Sequence, residues 1–257
     1  GISEFAARMP TALCGVALVV SMYLLSRKQA GERAARWAAL AMLASPYALQ
    51  RMRYAELEIP LTLATFLAVV AARHATLGET AQRRAWYCLL SGFAFGAAVM
   101  LKGPVPFLFF WAAAVATFIA SSPRVGDAMR TGIKASVAAF ALEIVLKVAA
   151  VPLLPSAARL IGAPLALVFV VLVWTYLALR YSGVVRTRIG YWLGAMLIGL
   201  LLSLPWGLAV LNQMGWDTIR AMLNNQVIER TYVATDINSG PPWYYLGILA
   251  GGFFPWI

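Results

Sequence analysis

Apolar residues in this chain come in long blocks separated by short polar clusters, rather than alternating with polar ones. Blocks of about 17 to 22 residues match the length a helix needs to cross the hydrocarbon core of a bilayer. The pattern predicts nine spans, at 9–25, 35–50, 57–72, 85–101, 104–120, 135–151, 163–179, 190–211 and 245–257, the last incomplete. Pro10, Pro60, the Gly103-Pro104 pair, Pro152 and Pro205 punctuate several of their ends. A helical period reappears in 212–230, where Trp216, Ile219, Leu223 and Val227 recur at spacings of three and four. That stretch reads as an amphipathic helix lying in a membrane interface, inside a 212–244 loop.

Composition turns this pattern into a fold class. Of 257 residues, 62% are hydrophobic and only 12% charged, with a mean hydropathy of +0.77. A soluble domain has about 25% charged residues, so too little polar surface exists here to cover one. Isolated spans must satisfy their own backbone hydrogen bonds, which makes the expected fold an all-α, polytopic transmembrane helix bundle forming a single domain. Cys14 and Cys88 lie in apolar stretches and make no disulfide framework. The single His74 excludes a His-rich metal cluster. A net charge of +11 does not point to nucleic acid, because the basic residues are scattered among short loops instead of forming a stripe.

Those basic residues set the expected orientation. The alternating loops 26–34, 73–84, 121–134 and 180–189, with Arg36, carry thirteen of the 21 Lys and Arg. The other side carries Arg8, Arg51, Arg53, Lys102, Arg159, Arg220 and Arg230, and Lys147 lies within a span. The richer side is expected to be cytoplasmic. Carboxylates follow the opposite bias: Glu4, Glu56, Glu58, Asp217, Glu229 and Asp236 fall on the outer side, mixed with its cations.

Four outer stretches hold candidate chemistry. In "AVMLKGPVPF", Lys102 ends the fourth predicted span, and Gly103-Pro104 turns the chain into the fifth. It either snorkels to mark the interface or neutralises a lipid phosphate at headgroup depth. In "QRMRYAELEIP", Arg51, Arg53, Glu56 and Glu58 crowd into eight residues. They either pair locally or offer guanidinium forks for a phosphate. Asp236 and the Trp243-Tyr244-Tyr245 cluster of "TDINSGPPWYYL" form either an aromatic belt or a wall against a sugar. Inside a span, Glu143 and Lys147 at i, i+4 suit a self-satisfied pair or, in a transporter, an ion relay. The "GFAFG" and "GYWLG" stretches, with Gly92, Gly96, Gly190 and Gly194, permit close helix approach.

Taken in order, "SEFAARMPTAL", "RYAELEIPLTL", "GAAVMLKGPV" and "NNQVIERTYVA" followed by "PPWYYLGILAGGFFPW" resemble bacterial membrane glycosyltransferases related to protein O-mannosyltransferases and the aminoarabinose transferase of lipid A. The resemblance implies a sugar transferred from a polyprenyl-phosphate carrier to a hydroxyl of lipid A or protein, with inversion, on the extracytoplasmic face of the bacterial inner membrane. It places Glu58 at the acidic position of the family's second outer loop, where it orders the site or binds a divalent cation. A glutamate stands there where many relatives have aspartate. Lys102 falls on the Lys-Gly motif, which fits contact with the carrier phosphate, joined by Arg53, Arg51 and Arg8. Asp236, Trp243, Tyr244 and Tyr245 would line the substrate. The family's main base lies in a loop expected upstream of Gly1, so the chain reads as a fragment that would be inactive alone. A secondary transporter and a non-catalytic membrane scaffold are the competing classes.

Overall fold

The computed structural model describes residues 3–150, 155–182 and 188–223, apart from the side chains of residues 143–144, 146–150, 155–167 and 222–223. Among the described residues every regular element is a helix: α1 (Glu4–Ala44), α2 (Pro46–Arg53), α3 (Glu58–Leu77), α4 (Ala81–Lys102), α5 (Val105–Ala120), α6 (Val125–Ala150), α7 (Pro155–Tyr181), α8 (Ile189–Met214) and α9 (Trp216–Leu223). Local chemistry explains several boundaries. The Ser3 hydroxyl accepts from Ala6 N–H at 3.2 Å and opens α1, and Thr80 does the same for Arg83 N–H at 3.3 Å at the head of α4. Gly103 ends α4 with φ 62°, which favours a residue without a side chain, while its N–H reaches Val99 C=O at 2.8 Å. Pro104, unable to continue a helix, then leads into α5.

The loop expected at 26–34 contracts to one residue. At 41 residues α1 would be about 60 Å long if straight, twice a bilayer core. Gly31 breaks it with φ 85° and ψ 173°, a conformation open to glycine and little else. The chain then doubles back: Met52 returns against Gly15, Thr11 donates to Glu56 C=O at 3.2 Å, and Arg8 lies over the Tyr54 ring. The returning limb differs from the span expected at 35–50. It breaks at Ser45, whose hydroxyl caps a new helix begun by Pro46. The proline cannot donate the hydrogen bond that would have carried the first helix through.

Helices α3 and α4 form an antiparallel hairpin pinned along its length. Lys102 meets Glu58 at one end, Ser91 Oγ donates to Ala68 C=O at 2.8 Å in the middle, and His74 stacks on Tyr87 at 5.1 Å toward the other end. Helix α8 runs parallel to α4 in very close approach. A Cβ on Gly96 would stand 3.0 Å from Gly199 C=O, and one on Gly92 would collide with Ile198. The close approach expected of Gly92 and Gly96 is made with Gly199 of α8, whereas the "GYWLG" glycines make little of it. Gly190 faces open space, and Gly194 meets just the Cys88 sulfur. In a bilayer, lipid tails are as apolar as leucine, so such backbone proximity supplies the packing that holds helices together. Tryptophans tie the remaining helices: Trp111 Nε1 of α5 donates to Thr175 Oγ1 of α7 at 2.9 Å, and Trp174 Nε1 of α7 to Ser136 Oγ of α6 at 3.0 Å.

The core is aromatic, with Phe95, Phe110 and Trp192 fully or nearly buried and successive ring centroids 4.8 and 4.7 Å apart. Beside it lies a polar lock at the end of α3 remote from Glu58. There Trp192 Nε1 donates to Thr76 Oγ1 at 2.8 Å, and Arg188 donates to Thr76 C=O at 2.7 Å. Arg84 bonds the Tyr191 hydroxyl and the carbonyls of Gly78 and Glu79. The outward surface, by contrast, is apolar: Leu13, Val16, Leu197 and Leu201 are each about 60% exposed. A patch of that extent would drive aggregation in water and is the natural exterior of a protein solvated by lipid. Among the described residues, four helices, α1, α3, α4 and α8, are long and apolar enough to cross a membrane.

Candidate functional site

Of the charged groups singled out in the sequence, Arg8, Arg51, Arg53, Glu56, Glu58 and Lys102 lie where α1 begins, α2 ends, α3 begins and α4 ends. Glu58 is the first residue of α3 and Lys102 the last of α4, so each sits at the helix end whose dipole favours its charge. The hairpin brings their side chains together, with Nζ 2.7 Å from Oε1, although 44 residues separate them. Both remain open to solvent, at 43% and 39% side-chain exposure. A pair so exposed contributes little to stability, about 0–1 kcal/mol. It is accessible to a competing anion.

A second pair stands beside it in sequence. Arg51 in the last turn of α2 bonds the Glu56 carboxylate, and its guanidinium lies 5.0 Å from the Tyr47 ring centroid. Arg51 Nε is buried without a hydrogen-bond partner among the described residues. Thr11 anchors this loop to α1 through the Glu56 carbonyl. Arg8 pairs with Glu4 and stands 6.0 Å from the Tyr54 ring, so it belongs to the same end of the bundle. Arg53 is exposed and makes no ion pair with another described residue.

The sequence leaves the pairing of these charges open; the structure gives Lys102 to Glu58 and Glu56 to Arg51. Tyr47 and Tyr54 went unnoticed, although Tyr47 precedes Arg51 by one helical turn, a spacing visible in the sequence. For the divalent cation, no group of three His, Cys, Asp or Glu that would hold a metal forms among the described residues, and Lys102 occupies the Glu58 carboxylate. Asp236, Trp243, Tyr244 and Tyr245 lie outside the described residues, as do the span expected at 245–257, the 224–244 part of the loop and the Glu143 and Lys147 side chains. Of the amphipathic stretch, α9 is described, set off from α8 by Gly215 at φ 75°.

Long helices with an apolar exterior, a small aromatic core and charges gathered at helix ends define a multi-pass membrane protein. The family model of dolichyl-phosphate-mannose-protein mannosyltransferase matches residues 1–151, which carry the Lys102–Glu58 and Arg51–Glu56 pairs, and the chain belongs to that family. It is accordingly, at family level, a membrane glycosyltransferase dependent on a polyprenyl-phosphate-linked sugar. No curated protein and no solved structure matches the chain.

Proposed function

We propose that the protein is an inverting transferase that moves a sugar from a polyprenyl-phosphate carrier to a hydroxyl of lipid A or protein, on the extracytoplasmic face of a bacterial inner membrane. The observation that carries this reading is the half-exposed Lys102–Glu58 pair, with Arg51 and Arg53 nearby, at one end of a membrane bundle. In the reaction the acceptor oxygen attacks the anomeric carbon while the bond from that carbon to the phosphate oxygen breaks. The phosphate leaves with the electron pair, and the hydroxyl proton passes to a carboxylate. Charge therefore develops on the phosphate, where fixed cations lower the barrier most.

Lys102 and Arg53 are the cations of this proposal, supported by Arg51 and Arg8. Arriving phosphate takes over the Lys102 ammonium and releases the Glu58 carboxylate, which supports the acceptor hydroxyl as a secondary acid–base group. Asp236 with Trp243, Tyr244 and Tyr245 would enclose the sugar. The test is transfer of labelled sugar from a polyprenyl-phosphate donor in membranes containing the full-length enzyme. Lys102→Met and Glu58→Gln should each reduce transfer strongly at equal protein level. Unchanged turnover in both variants would refute the proposal.

A further inference from the structure

Residues 27–36 form the tip where α1 doubles back, at the end of the bundle remote from Lys102. Lys28 there shares His74 as a charged neighbour with Arg73, near the C-terminus of α3. Arg27, Lys28, Arg33 and Arg36 surround one acid, Glu32, a net charge of +3 over ten residues. Glu32 is fully committed: it accepts from the Tyr23 hydroxyl at 2.7 Å and pairs with Arg27 at 2.8 Å and Arg36 at 3.2 Å. Lys28 and Arg33 are exposed and make no ion pair with another described residue. Positive charge thus exceeds what the tip neutralises internally.

A shallow, open depression lies beside the cluster, lined by Glu32, Arg33, Arg36, Trp37 and Leu40. Arg33, Arg36, Trp37 and Leu40 recur at spacings of three and four, which puts them on one face of the returning limb of α1. Along that face the chemistry changes in order, from two guanidiniums to Trp37 at 54% exposure, Leu40 at 49% and then Leu43 at 45%. A free anion has use for the cationic part alone. An amphiphile with a phosphate at one end and an alkyl chain at the other matches the whole gradient.

We propose that this face seats one anionic phospholipid, its phosphate between Arg33 and Arg36 and its acyl chain along Trp37, Leu40 and Leu43. Basic clusters next to a membrane helix attract anionic headgroups in general; the open depression and the apolar track that continues from it distinguish this face. The proposal rests on the membrane fold and is independent of the chemistry assigned to Lys102.

Native mass spectrometry of the full chain, released from nanodiscs holding equal phosphatidylglycerol and phosphatidylcholine, tests it. The protein should retain phosphatidylglycerol in preference to phosphatidylcholine. Arg33→Gln with Arg36→Gln should cut that retention roughly tenfold or more, and Leu40→Asn should weaken it with every charge in place. Arg83→Gln, removing an exposed cation elsewhere in the chain, should leave it unchanged. Equal retention in the double variant or equal retention of both lipids would overturn the seat. So would displacement of the lipid by millimolar inorganic phosphate, which would mark a free-anion site instead.

Discussion

The two ends of the α3–α4 hairpin use polar residues in opposite ways. At the Thr76 end they are buried and mutually satisfied: Thr76 is 0% and Trp192 2% exposed, and the threonine hydroxyl and carbonyl both have donors. At the Lys102 end the charges lie in half-open pairs, and Arg53 has no described ion-pair partner. A buried polar network stabilises a fold because each member left alone would be costly. A half-exposed ion pair does little for the fold and exchanges partners readily. The contrast separates a structural end from an end whose charges stay accessible to solvent.

Substitutions at the two ends should therefore fail differently. The largest effect belongs to Trp192→Ala, which empties the aromatic core and strips Thr76 of its indole donor. It should cost about 3–5 kcal/mol, read as a lower unfolding temperature in detergent, while transfer per folded molecule persists. Lys102→Met should act the other way, lowering transfer about a hundred- to a thousandfold with the unfolding temperature nearly unchanged. Gly96→Val forces apart α4 and α8, whose backbones touch at Gly199, and should destabilise by about 1–3 kcal/mol in the same unfolding measurement. Glu58→Gln should have the smallest effect on stability, under about 1 kcal/mol. A Glu58→Gln cost comparable to that of Trp192→Ala would erase the distinction between the ends.

How much of this was legible in the sequence depends on the range of the interaction. Helix content follows from the length and composition of the apolar blocks, and the turn after Lys102 from its Gly-Pro pair, because both are local properties. The reversal between the first two spans was legible at 26–34, but its contraction to Gly31 was obscured because helical residues continue on either side of a single glycine. The break at Ser45 was hidden inside an apolar run, although its Ser-Pro cap was in plain sight. At the site, the charged residues themselves stood out, whereas their pairing did not. Lys102 finds Glu58 through the register of α3 on α4, which packing along the whole hairpin sets. Arg188 finds Thr76 across 112 residues for the same reason, and no short motif encodes either contact.

The most direct test of the account is the equilibrium affinity of a polyprenyl phosphate for the protein in nanodiscs. Wild type is compared with Lys102→Met and with Arg83→Gln. The account rests on ammonium and guanidinium groups at the Lys102 end holding the head of the sugar carrier. It predicts binding weakened roughly tenfold or more by Lys102→Met and unaltered by Arg83→Gln. Undiminished binding to Lys102→Met would contradict it.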